Sequence, residues 1–214
     1  MSEYDNIWQQ QLKIGFVSNS WEINDFQLEQ LVAFLNLVYF WNKKHNLTRV
    51  KPEDYVSLHV LDSLALKDVV QKKRFLDVGS GAGFPGVPLA IIANPEITVM
   101  LDSSQKRCCF LSQVVNELKL ERTHIENTNI DCYKPDALFK VVVTRAFASL
   151  EKTVKLTQHV LTEDGVLWSM KARLNNSELN AISCWHEVIP VKIKGINSSR
   201  CLVKIKPFTT ITKR

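Results

Sequence analysis

Leu28, Leu31, Leu35 and Val38 recur at three- and four-residue intervals through about Trp41, the spacing of an amphipathic helix. Asn24, with Gln27 three residues on, supplies a capping-box pattern at its start. Pro52 opens a second helical pattern in which Val56, Val60 and Leu64 share one face. Residues 1–70 therefore read as a helical segment. After Lys72-Lys73-Arg74 the period changes. Strand-like runs at 74–79, 98–102, 123–127, 140–146, 165–171, 186–194 and 200–206 alternate with helical stretches at 84–93, 105–119, about 149–161 and about 175–185. Such alternation predicts an α/β domain over 71–214, with a largely parallel sheet and helices on both faces. Only Gly195 to Ser199 separates the last two strand runs. That is too short for a parallel crossover, so an antiparallel hairpin is expected at one edge.

The first strand run, Phe75-Leu76-Asp77-Val78, stops at Gly79, and an apolar helical stretch begins near Phe84. Between them four of the chain's seven glycines fall within eight residues: Gly79, Gly81, Gly83 and Gly86. A strand, a glycine turn and a helix present backbone N–H groups to a nucleotide-like ligand. Gly81-x-Gly83-x-x-Gly86 also satisfies the dinucleotide pattern, so a nicotinamide-dependent oxidoreductase is one reading. Asp77 points elsewhere, because a carboxylate there suits a cationic ligand better than a pyrophosphate. Asp102 ends the second strand run, where an acid can hydrogen-bond ribose hydroxyls in either cofactor class. The plainer alternatives are that Asp77 caps the turn and that Asp102 caps the helix beginning near Gln105. Asp-x-Gly-x-Gly-x-Gly followed by a second-strand acid resembles the class I S-adenosylmethionine-dependent methyltransferases, as does a seven-strand sheet ending in a hairpin.

At 214 residues with 45% hydrophobic content the chain has material for one such domain with an appendage. The net charge of +5 leans toward a polyanionic partner. Five cysteines, none in Cys-x-x-Cys spacing, read as reduced thiols and point to no metal site. A polar, acidic N-terminus and the lack of any long apolar run predict a cytoplasmic protein without a membrane segment.

Further segments narrow the resemblance. Trp41-Asn42-Lys43-Lys44-His45-Asn46-Leu47-Thr48 and His59-Val60-Leu61-Asp62-Ser63 precede the glycine turn. Leu101-Asp102-Ser103-x-x-Lys106-Arg107, Thr144-Arg145-Ala146-Phe147-Ala148 and Lys171-Ala172 follow it. In combination, from about residue 26 to 206, these resemble the bacterial RsmG family, formerly the glucose-inhibited division protein B family. Leu58 stands where that family usually has arginine. The resemblance implies a class I methyltransferase (Rossmann-like), doubly wound sheet of about seven strands. It implies S-adenosyl-L-methionine as cofactor, and methylation of guanine N7 in small-subunit (16S) ribosomal RNA. Its expected partners are 16S ribosomal RNA or the small ribosomal subunit, with the protein a monomer. Matched motif by motif, Asp77, Gly79, Gly81, Gly83, Phe84, Asp102, Ile130, Asp131 and Arg145 are the expected cofactor residues. Arg145, flanked by Val141-Val142-Val143 and Ala146-Phe147, is also the expected positioning residue for catalysis.

Guanine N7 bears no proton, so no general base is expected. His59, Asp62 and Ser63 are too close in sequence to converge as a hydrolytic triad, and packing or RNA positioning suits them better. Asn46, whose amide can read a base edge, and Lys106, Arg107, Lys171 and Arg173 are the expected RNA contacts. A rival reading from another class is a non-catalytic ribosome- or RNA-binding protein on a nucleotide-binding scaffold.

Overall fold

The computed structural model describes residues 2–210. Helix α1 (Asp5–Ser18) comes first, followed by α2 (Asp25–His45). The α2 capping box is formed: Gln27 N–H donates to Asn24 Oδ1 at 2.8 Å, and Asn24 N–H donates to Gln27 Oε1 at 3.2 Å. At its other end Asn46 turns into the left-handed region, with φ of 49°. The expected single helix after Pro52 is broken. A 3₁₀ turn (Pro52–Asp54), a π-helical turn (Val56–Leu61), a second 3₁₀ turn (Leu64–Leu66) and the short α3 (Lys67–Val70) replace it. Val56, Val60 and Leu64 are buried as their spacing predicts, yet the widened π turn rotates His59 and Asp62 relative to a regular helix.

The sheet contains β1 (Arg74–Val78), β2 (Ile97–Asp102), β3 (Thr123–Asn127), β4 (Phe139–Arg145), β5 (Leu161–Lys171), β6 (Cys184–Val191) and β7 (Arg200–Thr210). Their order is β3-β2-β1-β4-β5-β7-β6, and β7 is antiparallel to both neighbours. A dinucleotide fold would carry a sixth parallel strand beside β5. Here the hairpin inserts β7 in that place, as the short final connection requires. Between the strands run α4 (Gly86–Ile92), α5 (Gln105–Glu117), α6 (Leu150–Thr157) and α7 (Asn176–Asn180). Helix α7 is shorter than expected, α6 ends at Thr157, and β5 starts four residues early, beside a register irregularity between Phe139 and Val141.

One sheet face, bearing Phe75, Met100, Val141 and Met170, packs under α1, α2, α4 and α5 in one continuous cluster. The other face, bearing Leu76, Val142 and Val203, packs under α6 and α7. The N-terminal helices thus have no core apart from the sheet's own. Leu31, on α2, is fully buried in the shared cluster. Leu31→Ala should destabilise the whole chain by about 2–5 kcal/mol. Urea unfolding followed by far-ultraviolet circular dichroism and by tryptophan fluorescence should show one coincident transition. Two separated transitions would mean that the helices fold as an independent unit.

Candidate functional site

Parallel pairing of β1 with β2 brings the glycine turn beside Asp102. Gly79 N–H donates to Leu101 O at 2.8 Å, and Gly81 N–H donates to Asp102 Oδ2 at 2.9 Å. Asp102 Oδ1 accepts the Ser104 N–H at 2.9 Å, which also ties the carboxylate to the turn before α5. Gly79 has φ of +76°, and a Cβ there would come within 2.7 Å of Phe147 Cδ2. Backbone strain and contact therefore both require glycine. Along the carboxyl ends of β1 and β2 lies a cavity of about 470 Å³, lined by Gly79, Asp102, Ile130, Asp131, Arg107 and Phe147 among others. Ligands in open α/β sheets bind in this position.

A second cavity, of about 360 Å³, opens over the ends of β4, β5 and β7. Arg145, Met170, Lys171, Arg173, Arg200 and Leu202 contribute to it, and Ala146 is a wall of both cavities. Arg145 is fixed on several sides. Its Nη2 donates to Leu58 O at 2.9 Å and to His59 Nδ1 at 3.0 Å, and its Nε lies 3.7 Å from Asp62 Oδ2. Asp62 Oδ1 accepts from Arg200 Nε at 2.9 Å, so one buried carboxylate serves two guanidiniums. Burial pulls the Arg145 pKa below its ordinary value, and Asp62 opposes this. His59 is held neutral, its pKa lowered to about 3 by burial and then by the Arg145 charge. With Nδ1 accepting, the proton sits on Nε2, 2.8 Å from Thr48 Oγ1. Ser63 Oγ donates to the His59 carbonyl at 2.6 Å, away from the imidazole, so these three residues form no nucleophile–base relay.

The structure gathers Gly79, Asp102, Ile130 and Asp131 around the first cavity and Arg145 at the second. Asp77, Gly81, Gly83 and Phe84 line neither cavity. Asp77 lies fully buried beneath the turn, where Oδ2 accepts the Gly86 N–H at 3.0 Å and Oδ1 is buried with no hydrogen-bond partner. Through that bond it anchors the start of α4, as the turn-capping alternative describes. Gly86 must be glycine on that account, since a Cβ would meet Asp77 Oδ2 at 2.7 Å. Phe84 instead stacks on the His59 ring at 4.2 Å between centroids and leans on Phe34.

The basic candidates divide. Lys106 and Arg173 are exposed, and Arg107 sits 3.4 Å from Asp102 on the wall of the first cavity. Lys171 is engaged within the protein, donating to Glu178 at 2.5 Å and to Ala148 O at 3.3 Å. Asn46, exposed, is the left-handed cap of α2, two residues from the Thr48 that holds His59. Three participants were missed by sequence reasoning: His59 and Asp62 as supports of Arg145, and Arg200 as a second arginine on Asp62. The signals were the three-residue spacing of His59 and Asp62, which puts both on one helical face, and their place in a segment that carries the family resemblance.

Comparison with known proteins shows the family and the fold. The family model described as rRNA small subunit methyltransferase G matches residues 27–202. A ribosomal RNA small subunit methyltransferase G from Nitrosococcus oceani is 37% identical over 95% of this chain and 97% of its own length. Its counterpart in Methylobacillus flagellatus is 37% identical, covering 91% of this chain and 96% of that protein. Among solved structures, a SAM dependent methyltransferase from Aquifex aeolicus superposes with a TM-score of 0.54 at 14% identity, over 80% of this chain and 97% of that one. M. jannaschii TYW2 in complex with AdoMet superposes with a TM-score of 0.53 at 13% identity, over 69% and 74%. At such identities the two structures establish the shared fold.

The buried acid gives a pH test. Burial raises the Asp77 pKa from its ordinary 3.8 to about 7, against smaller opposing pulls from Ser80, Gly86 and Arg145. The folded protein therefore binds this proton more tightly than the unfolded chain. The stability contributed is complete below about pH 4 and is lost as pH rises to about 7. His59 acts oppositely, its contribution being lost as pH falls from 6.5 toward 3. The wild-type minus Asp77→Asn difference in urea unfolding free energy isolates the acid. It should fall by up to about 1.4 kcal/mol per pH unit between pH 5 and 7, then flatten. A difference constant across that range would refute the assignment.

Proposed function

The chain belongs to the rRNA small subunit methyltransferase G family, and we propose that it transfers a methyl group from S-adenosylmethionine to N7 of a guanine in small-subunit (16S) ribosomal RNA. It is an α/β methyltransferase that uses S-adenosylmethionine and acts on ribosomal RNA. The observation that carries the finer reading is the pair of adjoining cavities with the common wall Ala146. The first suits an adenosine-containing cofactor. There the buried carboxylate of Asp102 would hydrogen-bond the ribose hydroxyls, apolar Ile130 would pack against the adenine, and Asp131 would accept from its exocyclic amine. The second, with Arg145, Arg200 and Arg173 around it, suits an anionic acceptor nucleotide.

The sulfonium cofactor supplies an electrophilic methyl group. Guanine N7 presents an in-plane lone pair and no proton, so the new N–C bond forms as the C–S bond breaks and no base is needed. The chain's work is then alignment and charge complementarity. Arg145 is a positioning residue, a fixed cation at the boundary between the cavities. His59, already accepting from Arg145, orients that cation and removes no proton. Asp62 and Leu58 O complete the grip.

Methyl transfer from labelled cofactor to unmethylated small subunits should yield N7-methylguanosine in the digested 16S RNA. Label on an exocyclic amine or a ribose would overturn the N7 assignment. Tight RNA binding without any transfer would favour a non-catalytic role. Single-turnover rates at saturating RNA should show no titration near pH 6.5, the ordinary histidine value, because His59 is neutral throughout. Asp102→Ala should weaken S-adenosylmethionine binding at least tenfold in calorimetry, each charged hydrogen bond lost being worth roughly 1.5–3 kcal/mol. Equal affinity in the folded variant would move the ribose away from Asp102.

A further inference from the structure

The second cavity is floored by Met170 of β5 and Leu202 of β7, side chains on the sheet face that also carries the N-terminal helices. Below the cavity that same face continues toward the other end of the strands. Two residues along, Trp168 pairs with Lys204, and Lys204 pairs with Glu187 of β6. Two further on, Lys206 pairs with Trp185. Successive rungs stand roughly 7 Å apart, twice the rise per strand residue. Lys204 Nζ lies 5.7 Å from the Trp168 ring centroid and 5.5 Å from that of Trp185, and Lys206 Nζ lies 5.2 Å from Trp185. Both indoles are partly exposed, Lys206 is exposed, and among the described residues neither indole N–H donates to a protein acceptor. Glu187 is the acid on these rungs, 3.7 Å from Lys204.

We propose that this partly exposed face of β5, β7 and β6 is a platform for single-stranded RNA, on which Trp168 and Trp185 stack bases flanking the acceptor guanine while Lys204 and Lys206 take their phosphates. Two aromatic planes alternating with two ammonium groups, on a track leading out of an arginine-lined cavity, match the chemistry of an unpaired polynucleotide. Continuity with the acceptor cavity and complementary charge select RNA over an apolar protein segment. The inference rests on the reading of the second cavity as the acceptor site and adds the path of the neighbouring nucleotides.

The test measures binding of a protein-free 16S RNA transcript and of unmethylated small subunits, over a range of salt concentrations, beside methyl transfer by the same proteins. Lys204→Gln with Lys206→Gln should raise the transcript Kd at least fivefold. It should also reduce the slope of log affinity against log salt by about 1.4, at roughly 0.7 per phosphate contact on a single strand. Trp185→Ala should weaken binding several-fold, and Trp185→Phe, which keeps a stacking ring, should restore most of it. Affinity for S-adenosylmethionine should be unchanged in all of them. If Trp185→Ala does not fold, the lysine pair and the phenylalanine variant still decide. Transcript affinity and salt slope within twofold of wild type in the lysine pair would overturn the platform, and with methyl transfer intact the proposed function would stand. A loss seen on subunits but absent on protein-free RNA would assign the face to a ribosomal protein and likewise overturn it. Weakened transcript binding by the variants, with no transfer even by the wild type, would support the platform and sink the proposed function instead.

Discussion

The guanidinium of Arg145 is largely withdrawn from water at the end of a central strand, and a charge in that position is tolerable only when its partners are held to it. The cost of burying an ion without them is several kcal/mol. Here the partners come from far away in sequence: the Leu58 carbonyl, the His59 imidazole and the Asp62 carboxylate all lie in the interrupted helical region before the sheet. The charge thus dictates how that region docks. The π turn at Val56–Leu61 turns His59 and Asp62 toward β4 while Val56, Val60 and Leu61 stay in the core. Stacking of Phe84 on His59 then couples the same support to the segment leaving the glycine turn. The interrupted region, through Asp62 and Ala65, is in this sense part of the second cavity's wall, and the cluster that the N-terminal helices share with Phe75, Met100 and Val141 is the apolar counterpart of the polar grip.

Much of the architecture was legible because it is written in local periodicity. The capping box of α2, the first four strands to within about one residue, and the terminal hairpin follow from spacing and connection length, whereas β5 starts four residues earlier than expected, β6 ends at Val191 and β7 runs on to Thr210. The early start of β5 was not legible because residues 161–164 lack a strand's alternation; Leu161 pairs with Phe139 across an irregular register. The break after Pro52 was not legible: Val56, Val60 and Leu64 fit a regular helix, and the contacts of Leu58, His59 and Asp62 with Arg145 are made more than eighty residues along the chain. The same limit applies within the site. The Asp and Gly residues of the first turn were visible as a pattern, but whether each faces a ligand or the core depends on what packs behind it. Asp102 lies on a strand end that opens into a cavity. Asp77 is on the neighbouring strand and points beneath the turn, and Phe84 is captured by His59 and Phe34. Lys171 looked like a free cation until the fold brought Glu178 to it.

Asp77 shows what the turn demands of the rest of the molecule. A fully buried carboxyl with one oxygen unpartnered opposes folding once it is ionised, and an apolar residue of similar size would avoid that penalty. Its return is local. The Gly86 N–H is one of the first donors of α4 and has no partner within its own helix, and Asp77 Oδ2 satisfies it from directly below. That bond fixes the start of α4 relative to β1, while the Gly79 N–H on Leu101 and the Gly81 N–H on Asp102 fix the turn relative to β2. The proposed transfer, which needs no general base, leaves geometry as its main accelerator, and a backbone turn tied to two strands and a helix at a cost in stability fits chemistry in which alignment supplies most of the rate. The same logic explains the rigid Arg145. Each feature trades stability for fixed position at the seam between the two cavities, and both converge on the short stretch from Val78 to Gly86 and the end of β4 at Arg145 and Ala146.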